Sequence, residues 1–291
     1  MKHFSLPKDG GLIEKGLPKD ILHSKERIYT EILDTPYIAS QMVADEVVAA
    51  IKAFKPTPAK PLFKLGLTTG NSPLPLYNDL QRACTQGEVS FANVEVFSVD
   101  EYYPVSPDEA QSRNHRLRSE LLDHIDIKKE NVHILNGNAP DLAAECAAYE
   151  KAIVEAGGID LFLGGVGDDG HIAFNEPFSS LSSRTRVVTL TQDTLEVNSR
   201  FFGGDPNAVP KQAMTVGVGT VLDSREVLIL AFGSKKARAL QAAIEGPMSH
   251  YCTLSGLQNH PAGTIVCDEN SIGEVKVSSY RYFKAVEAAE S

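Results

Sequence analysis

The residues with the most chemical promise lie in one glycine-rich segment, Gly165-Val166-Gly167-Asp168-Asp169-Gly170-His171, followed by Glu176-Pro177. A histidine flanked by carboxylates, here Asp169 and Glu176, outlines a proton shuttle: the carboxylates orient the ring and favour its charged form near neutral pH. Asp, His and Glu are also ligands for a divalent metal. Their spacing matches no metal signature, so that reading ranks second. A solvated acidic loop with an incidental histidine is the plain alternative. The loop loses that plainness because it follows an apolar run and is punctuated by glycine, where functional loops commonly lie. The segment also fits G-x-G-x-x-G, the dinucleotide fingerprint. Asp168 and Asp169 would then stand where a pyrophosphate must sit, and Pro177 comes too soon for a phosphate-capping helix, so no dinucleotide is expected. The glycines fit a tight turn that presents polar side chains.

Two further segments complete a possible site. Asp100 and Glu101 end an apolar run; strand alternation would aim one into a cleft and the other away, and a partly desolvated carboxylate there makes a general base. A solvated strand end is the alternative. Thr68-Thr69-Gly70-Asn71-Ser72 leads into Pro73, a helix-start signal with Ser72 as N-cap. Small hydroxyls and a glycine before a helix N-terminus suit an anion, although an ordinary strand-to-helix turn looks the same. It is not a Walker loop, because no GK[ST] follows at the right spacing. Gly233-Ser234-Lys235-Lys236 puts two lysines in the first turn of a helix, where they oppose the helix dipole unless an anion binds.

These segments need elements to position them. Apolar runs predict strands at Phe63–Leu67, Val94–Val99, Ile159–Leu163, Met214–Val218, Val227–Phe232 and Ile265–Cys267. Helical spacing predicts helices over 38–54, 73–87, 112–124, 141–156 and Ser234–Glu245, with 274–287 a mixed terminal segment. Alternating strands and helices imply an α/β fold: one domain with a mostly parallel, doubly wound sheet and helices on both faces. Ligands of such sheets bind outside the carboxyl ends of the strands, which directs attention to loops 68–73, 99–104 and 164–177. Residues 1–26 are polar and aperiodic and read as an N-terminal extension ahead of a 27–291 domain.

Composition bounds the function. The chain has 291 residues, 28 Lys and Arg against 38 Asp and Glu, and a formal net charge of −10. That balance argues against a general nucleic-acid or anionic-membrane binder, yet a few placed cations suffice for one phosphate. No apolar run approaches the roughly 20 residues of a membrane span, and the N-terminus lacks a signal-peptide core, so the expected compartment is the cytoplasm. Four cysteines without a CxxC pair read as mostly buried, reduced thiols in preference to a disulfide frame or a zinc site.

Together these segments resemble the glucosamine-6-phosphate deaminase family, also called glucosamine-6-phosphate isomerases. The resemblance runs through GIDLFLGGVGDDGHIAFNEPFSSLSSRTRVVTLTQDTLEVNSRFF (158–202), VPKQAMTVGVGTVLDSREVLILAFGSKKARALQAAIEG (209–246), LGLTTGNSP (65–73), SVDEYYP (98–104) and LLDHIDI (121–127), and covers about 27–288. It implies a Rossmann-like fold and conversion of D-glucosamine 6-phosphate and water to D-fructose 6-phosphate and ammonia, with no metal or organic cofactor. It implies that Asp100 moves a proton between C2 and C1, and that His171, with Asp169 and Glu176, assists ring opening. The phosphate would be held by Thr69, Gly70, Asn71 and Ser72 with Arg200 and Lys236. It further implies a homo-oligomer, in bacterial members often a hexamer, with N-acetylglucosamine 6-phosphate as effector at a site matching Ser179, Ser180, Arg186 and Tyr282.

Three departures stand out. Asn71 replaces a glycine or serine. Ser112-Arg-Asn-His-Arg116 replaces Ser-Tyr and further aromatics in what the family uses as a lid region. Val188 replaces a lysine of the effector site, so activation is expected to be weak or absent. A 6-phosphogluconolactonase would share the phosphate loop and the histidine loop, but the intact HIAFNEP and DEY favour the deaminase. A sugar-phosphate-sensing domain would carry a DNA-binding helix-turn-helix, for which 26 residues are too few.

Overall fold

The computed structural model describes residues 28–290; the expected extension at 1–26 lies outside the described residues. Strand β1 (Tyr29–Leu33) leads to helix α1 (Pro36–Ala53), whose first turn is fixed by Thr35: its hydroxyl accepts the Ile38 N–H at 3.2 Å, and Pro36 occupies the first helical position. Then follow β2 (Phe63–Leu67), α2 (Leu74–Thr85), β3 (Val94–Ser98), β4 (Asp100–Tyr103), α3 (Arg113–Glu120), β5 (Val132–His133), α4 (Leu142–Glu155) and β6 (Leu161–Gly165). The second half adds β7 (Arg186–Thr189), α5 (Gln192–Asn198), β8 (Gln212–Thr215), α6 (Val218–Leu222), β9 (Glu226–Ala231), α7 (Ala237–Glu245), β10 (Gly263–Asp268) and α8 (Val277–Glu290).

Seven strands form a parallel sheet in the order β1-β10-β9-β6-β2-β3-β5. Its inner strands β10, β9, β6 and β2 are buried on both faces, and their side chains divide by the period of two. Val227, Ile229 and Ala231 of β9 and Ile265 and Cys267 of β10 face a core shared with α4 and α7. Leu228, Leu230 and Val266 face a second core against α1 and α2. Each fully buried aliphatic side chain contributes about 1.5–3 kcal/mol, so these two cores carry most of the stability. Among the described residues, no helix is long and apolar enough to cross a membrane.

The doubly wound sheet with helices on both faces agrees with expectation. Several details do not. The apolar run Met214–Val218, expected as one more strand of that sheet, instead overlaps β8 (Gln212–Thr215), which pairs antiparallel with β4 and β7 in a separate three-stranded sheet. A third, small core of Tyr102, Val105, Phe174, Leu190 and Ala213 sits under it. The Ile159–Leu163 strand begins two residues later, because Asp160 is used otherwise: it accepts from the Lys64 N–H (2.9 Å) and pairs with Lys60 and Arg225. The 112–124 helix is α3 plus a separate 3-10 turn at Leu122–His124. The mixed terminal segment is helix α8. Strands β1, β4, β5 and β7 are additional to those expected; β4 lies in what reads as the 99–104 loop. Ser72 does not cap α2: Pro73 already has helical angles (φ −81°, ψ −9°), makes no side-chain capping bond, and leaves Ser72 in the preceding loop.

Candidate functional site

The carboxyl ends of β2, β3 and β6 open into a cleft of about 400 Å³. All three expected loops reach it: Thr68–Pro73, Asp100 from the β3–β4 junction, and the Gly165–His171 segment. Both cations expected for an anion, Arg200 and Lys236, line the same cleft.

Asp100 begins β4, directly beyond β3. The backbone there is locked into both sheets, since the Val99 N–H donates to Leu67 O (3.1 Å) and Val99 O accepts the Val216 N–H (2.9 Å). Asp100 is buried, and its carboxyl pKa is raised from 3.8 to about 6. Burial is the main cause and the Glu101 charge adds to it, while Arg113 and His171 pull the other way. Alternation along β4 turns Glu101 away from the cleft. Its oxygens accept from Tyr102 N (2.8 Å), Arg113 N (2.9 Å), Asn114 N (2.9 Å) and Ser112 Oγ (2.7 Å). A carboxylate is thereby seated at the N-terminus of α3, where the helix dipole favours it. One acid of the pair faces the cleft and its neighbour builds the wall, as the alternation predicted.

The glycine-rich segment turns tightly, with Gly170 N–H donating to Gly167 O (3.1 Å) and Gly167 N–H to His171 O (2.8 Å). Two glycines are required by space. A Cβ on Gly167 would lie 2.4 Å from the His171 ring, and Gly170 has φ +92° with the Cys252 sulfur 2.5 Å from where a Cβ would be. The turn brings His171 Nδ1 to 2.7 Å from Asp169 Oδ1, off the axis of an ideal hydrogen bond, and to 3.7 Å from Glu176 Oε2. Burial alone would raise the Asp169 carboxyl, but the His171 contact and backbone donors outweigh it and hold the pKa below the usual value. Glu176 accepts from Thr191 N (3.1 Å) and Thr191 Oγ1 (3.3 Å). The ligand atoms of the three side chains lie within 4.8 Å of one another, so the set that could shuttle a proton is also one that could hold a divalent cation.

The residues expected to hold an anion line the same cleft. Thr69, Gly70, Asn71 and Ser72 form its rim ahead of α2, whose first turn carries no acidic residue and no side-chain cap. Those free N–H groups are open to an anion. The Tyr77 hydroxyl donates to Thr68 O and anchors the loop to the helix. Lys236 closes the 3-10 turn Ser234–Lys236 ahead of α7 and pairs with Asp168 at 2.6 Å. Arg200 stacks over the Phe201 ring, its guanidinium carbon 4.8 Å from the centroid.

The expected effector residues fall into two groups. Arg186 on β7 donates to Ser179 Oγ (2.9 Å) and Asn175 Oδ1 (2.7 Å), and Ser180 Oγ lies 3.0 Å from Ser182 Oγ. Tyr282 is on α8 with its ring against Phe283, and among the described residues no hydrogen bond joins it to the other three.

Sequence reasoning missed one cation in the cleft. Arg113, the first residue of α3, lines it and is buried, with Nε 3.6 Å from Asp100 Oδ1. Its sequence signal is the unusual Ser112–Arg116 segment, which by resemblance belongs to a lid and gives no hint of a place beside the base.

A sequence model of the glucosamine-6-phosphate isomerases/6-phosphogluconolactonase family matches residues 35–270. A glucosamine-6-phosphate deaminase of Phocaeicola vulgatus is 57% identical over 259 residues, 89% of this chain and 98% of that one. One from Aeromonas hydrophila is 56% identical over 243 residues, 84% of this chain and 91% of that one. Among solved structures, a monomeric glucosamine-6-phosphate deaminase superposes with a TM-score of 0.80 at 36% identity, covering 85% of this chain and 100% of that one. A Trypanosoma cruzi 6-phosphogluconolactonase, at TM-score 0.67 and 22% identity over 86% of this chain and 97% of that one, shares the fold. With its seven-stranded parallel sheet and its cleft at the carboxyl ends, this chain belongs to the glucosamine-6-phosphate isomerase/6-phosphogluconolactonase family.

Proposed function

We propose that this chain converts D-glucosamine 6-phosphate and water to D-fructose 6-phosphate and ammonia, as an aldose–ketose isomerisation coupled to deamination. The observation that carries it is a buried carboxylate, Asp100, in one cleft with the Asp169–His171–Glu176 cluster and a cationic rim. Relatives at 55–57% identity that carry the deaminase name support it. The substrate phosphate binds Thr69–Ser72, Arg200 and Lys236, far from the reacting carbons, and orients them. His171, held at Nδ1 by Asp169, moves the proton of the ring oxygen so that the sugar opens. Asp100 takes the C2 proton and returns it to C1. The resulting C2 imine adds water, the C–N bond breaks, and ammonia leaves. This scheme assigns no metal or cofactor a role.

Ammonia release from glucosamine 6-phosphate tests the proposal. Hydrolysis of 6-phosphogluconolactone without ammonia release would replace it with the lactonase reading, which needs no base to exchange protons between two carbons. Arg200→Ala or Lys236→Ala is expected to raise KM about tenfold to a hundredfold, the worth of one charge-assisted bond, with a smaller change in kcat. An unchanged KM in steady-state kinetics removes that cation from the phosphate site.

The effector site is proposed to be weak. Val188 leaves it without the family's lysine, and Arg186 already binds Asn175 and Ser179. N-acetylglucosamine 6-phosphate is expected to change the rate by no more than about twofold, short of the roughly 5–150-fold of established allosteric couplings. A kinetic titration showing strong activation overturns this.

A further inference from the structure

Arg113 is a buried cation that the proposed chemistry leaves unused. Its nitrogens divide their contacts: one terminal nitrogen donates to Thr69 Oγ1 (3.1 Å) in the anion loop, and the other to the Tyr102 hydroxyl (3.1 Å). Nε has no hydrogen-bond partner and lies 3.6 Å from Asp100 Oδ1. The guanidinium carbon sits 4.9 Å and 5.2 Å from the centroids of Tyr102 and Phe174, which fix its plane. The helix that carries it is held by the Glu101 carboxylate, so its place is built from the strand that also carries the base.

We propose that Arg113 is a positioning residue of this site: its guanidinium couples the Asp100 carboxylate to the Thr69 end of the anion loop, keeping the base charged and at a fixed distance from the bound phosphate. The proposal rests on the deaminase reading for its kinetic consequences. A fork that bridges base and loop spans the two places where the substrate must be held at once, and misplacement of either loses rate. The charged groups that act on Asp100 are Arg113 from α3, Glu101 from its own strand and His171 from the loop after β6, while the phenols Tyr77, Tyr102 and Tyr149 stand close enough for the Asp100 charge to raise their own pKa values. Of these, Arg113 and His171 favour its charged form, and Arg113 is the stronger.

The test compares pH profiles of kcat/KM for the wild type, Arg113→Gln and Arg113→Lys. The acid limb reports the free enzyme's base. The substrate's own ionisations are common to all three enzymes, so differences belong to the protein. In Arg113→Gln the limb is expected to move up by about one pH unit, as loss of an adjacent opposite charge dictates. Arg113→Lys keeps the charge and is expected to keep the limb, while loss of the fork to Thr69 raises KM. A purely structural role would lower activity and leave the limb in place; a folded Arg113→Gln with the wild-type limb overturns the proposal. If Arg113→Gln does not fold, an unchanged KM in Arg113→Lys overturns it. A separate arm is independent of turnover: calorimetric binding of inorganic phosphate is expected to weaken several-fold in either variant, and equal affinity counts against the coupling. Failure of the activity itself would show as no ammonia from the wild type, a result this arm does not share.

Discussion

Asp100→Asn is expected to lose turnover by about a thousandfold or more while KM for glucosamine 6-phosphate stays within a few-fold. Asparagine fills the same space and cannot take a proton, so only the step that needs the base is removed. The residues proposed for the phosphate, Thr69–Ser72, Arg200 and Lys236, line the same cleft and are unaltered by the substitution. Near-normal turnover in steady-state assays would take Asp100 out of the base role.

The same substitution has an expected effect on stability, of opposite sign to most core substitutions. Asp100 has its pKa raised from 3.8 to about 6 in the folded protein, chiefly by burial. The unfolded chain therefore ionises first as pH rises, and stability falls between about pH 4 and pH 6 and stays lowered above that window. At pH 7 the cost is on the order of 3 kcal/mol, since each unit is worth about 1.4 kcal/mol. A neutral isostere does not bear it. Asp100→Asn should gain up to that amount in urea unfolding at pH 7, and the gain should vanish near pH 4. An equal difference at both values would mean that the carboxylate is not strained by its burial. A base poised near neutrality and a charge that weakens the fold are here one property.

How much of this was legible depended on what each residue's neighbours were. Phe63–Leu67 and Val227–Phe232 were readable because a strand of a parallel sheet buried on both faces is a continuous apolar run. Gln212–Thr215 was nearly readable as a strand, but pairing partners are not written in periodicity, and its place in the small antiparallel sheet emerges only from the Asp100–Thr215 register. Arg186–Thr189 is three half-buried residues and an exposed one, too short for any period. In the site, the turn around Gly167 and Gly170 was legible from glycine spacing and the opposite aims of Asp100 and Glu101 from strand alternation. Lys236 was flagged as an anion candidate by the lysine pair at a helix start, whereas Arg200 came only from the resemblance to a family. Arg113 escaped because its position beside Asp100 depends on α3 docking back on β4, through hydrogen bonds from Ser112, Arg113 and Asn114 to Glu101 that no sequence spacing announces.

That docking makes Glu101 the second large effect. Glu101→Ala is expected to destabilise the fold by about 3–5 kcal/mol, lowering Tm on the order of 10 °C. Four donors lose their acceptor together: the N–H groups of Tyr102, Arg113 and Asn114 and the Ser112 hydroxyl. All belong to buried or half-buried residues, and an unpaired buried donor costs about 1–3 kcal/mol. Glu101→Gln should be intermediate, because its amide nitrogen would face donors where an oxygen now accepts. Thermal unfolding decides the matter, and a Glu101→Ala protein within about two degrees of the wild type would show that the α3 N-terminus is not held this way. The contrast with the preceding residue is the sharper test of the strand. Two adjacent acids point to opposite sides of β4; neutralising Asp100 should give a more stable, inactive protein, and truncating Glu101 an unstable one whose activity falls because Arg113 and the base lose their frame.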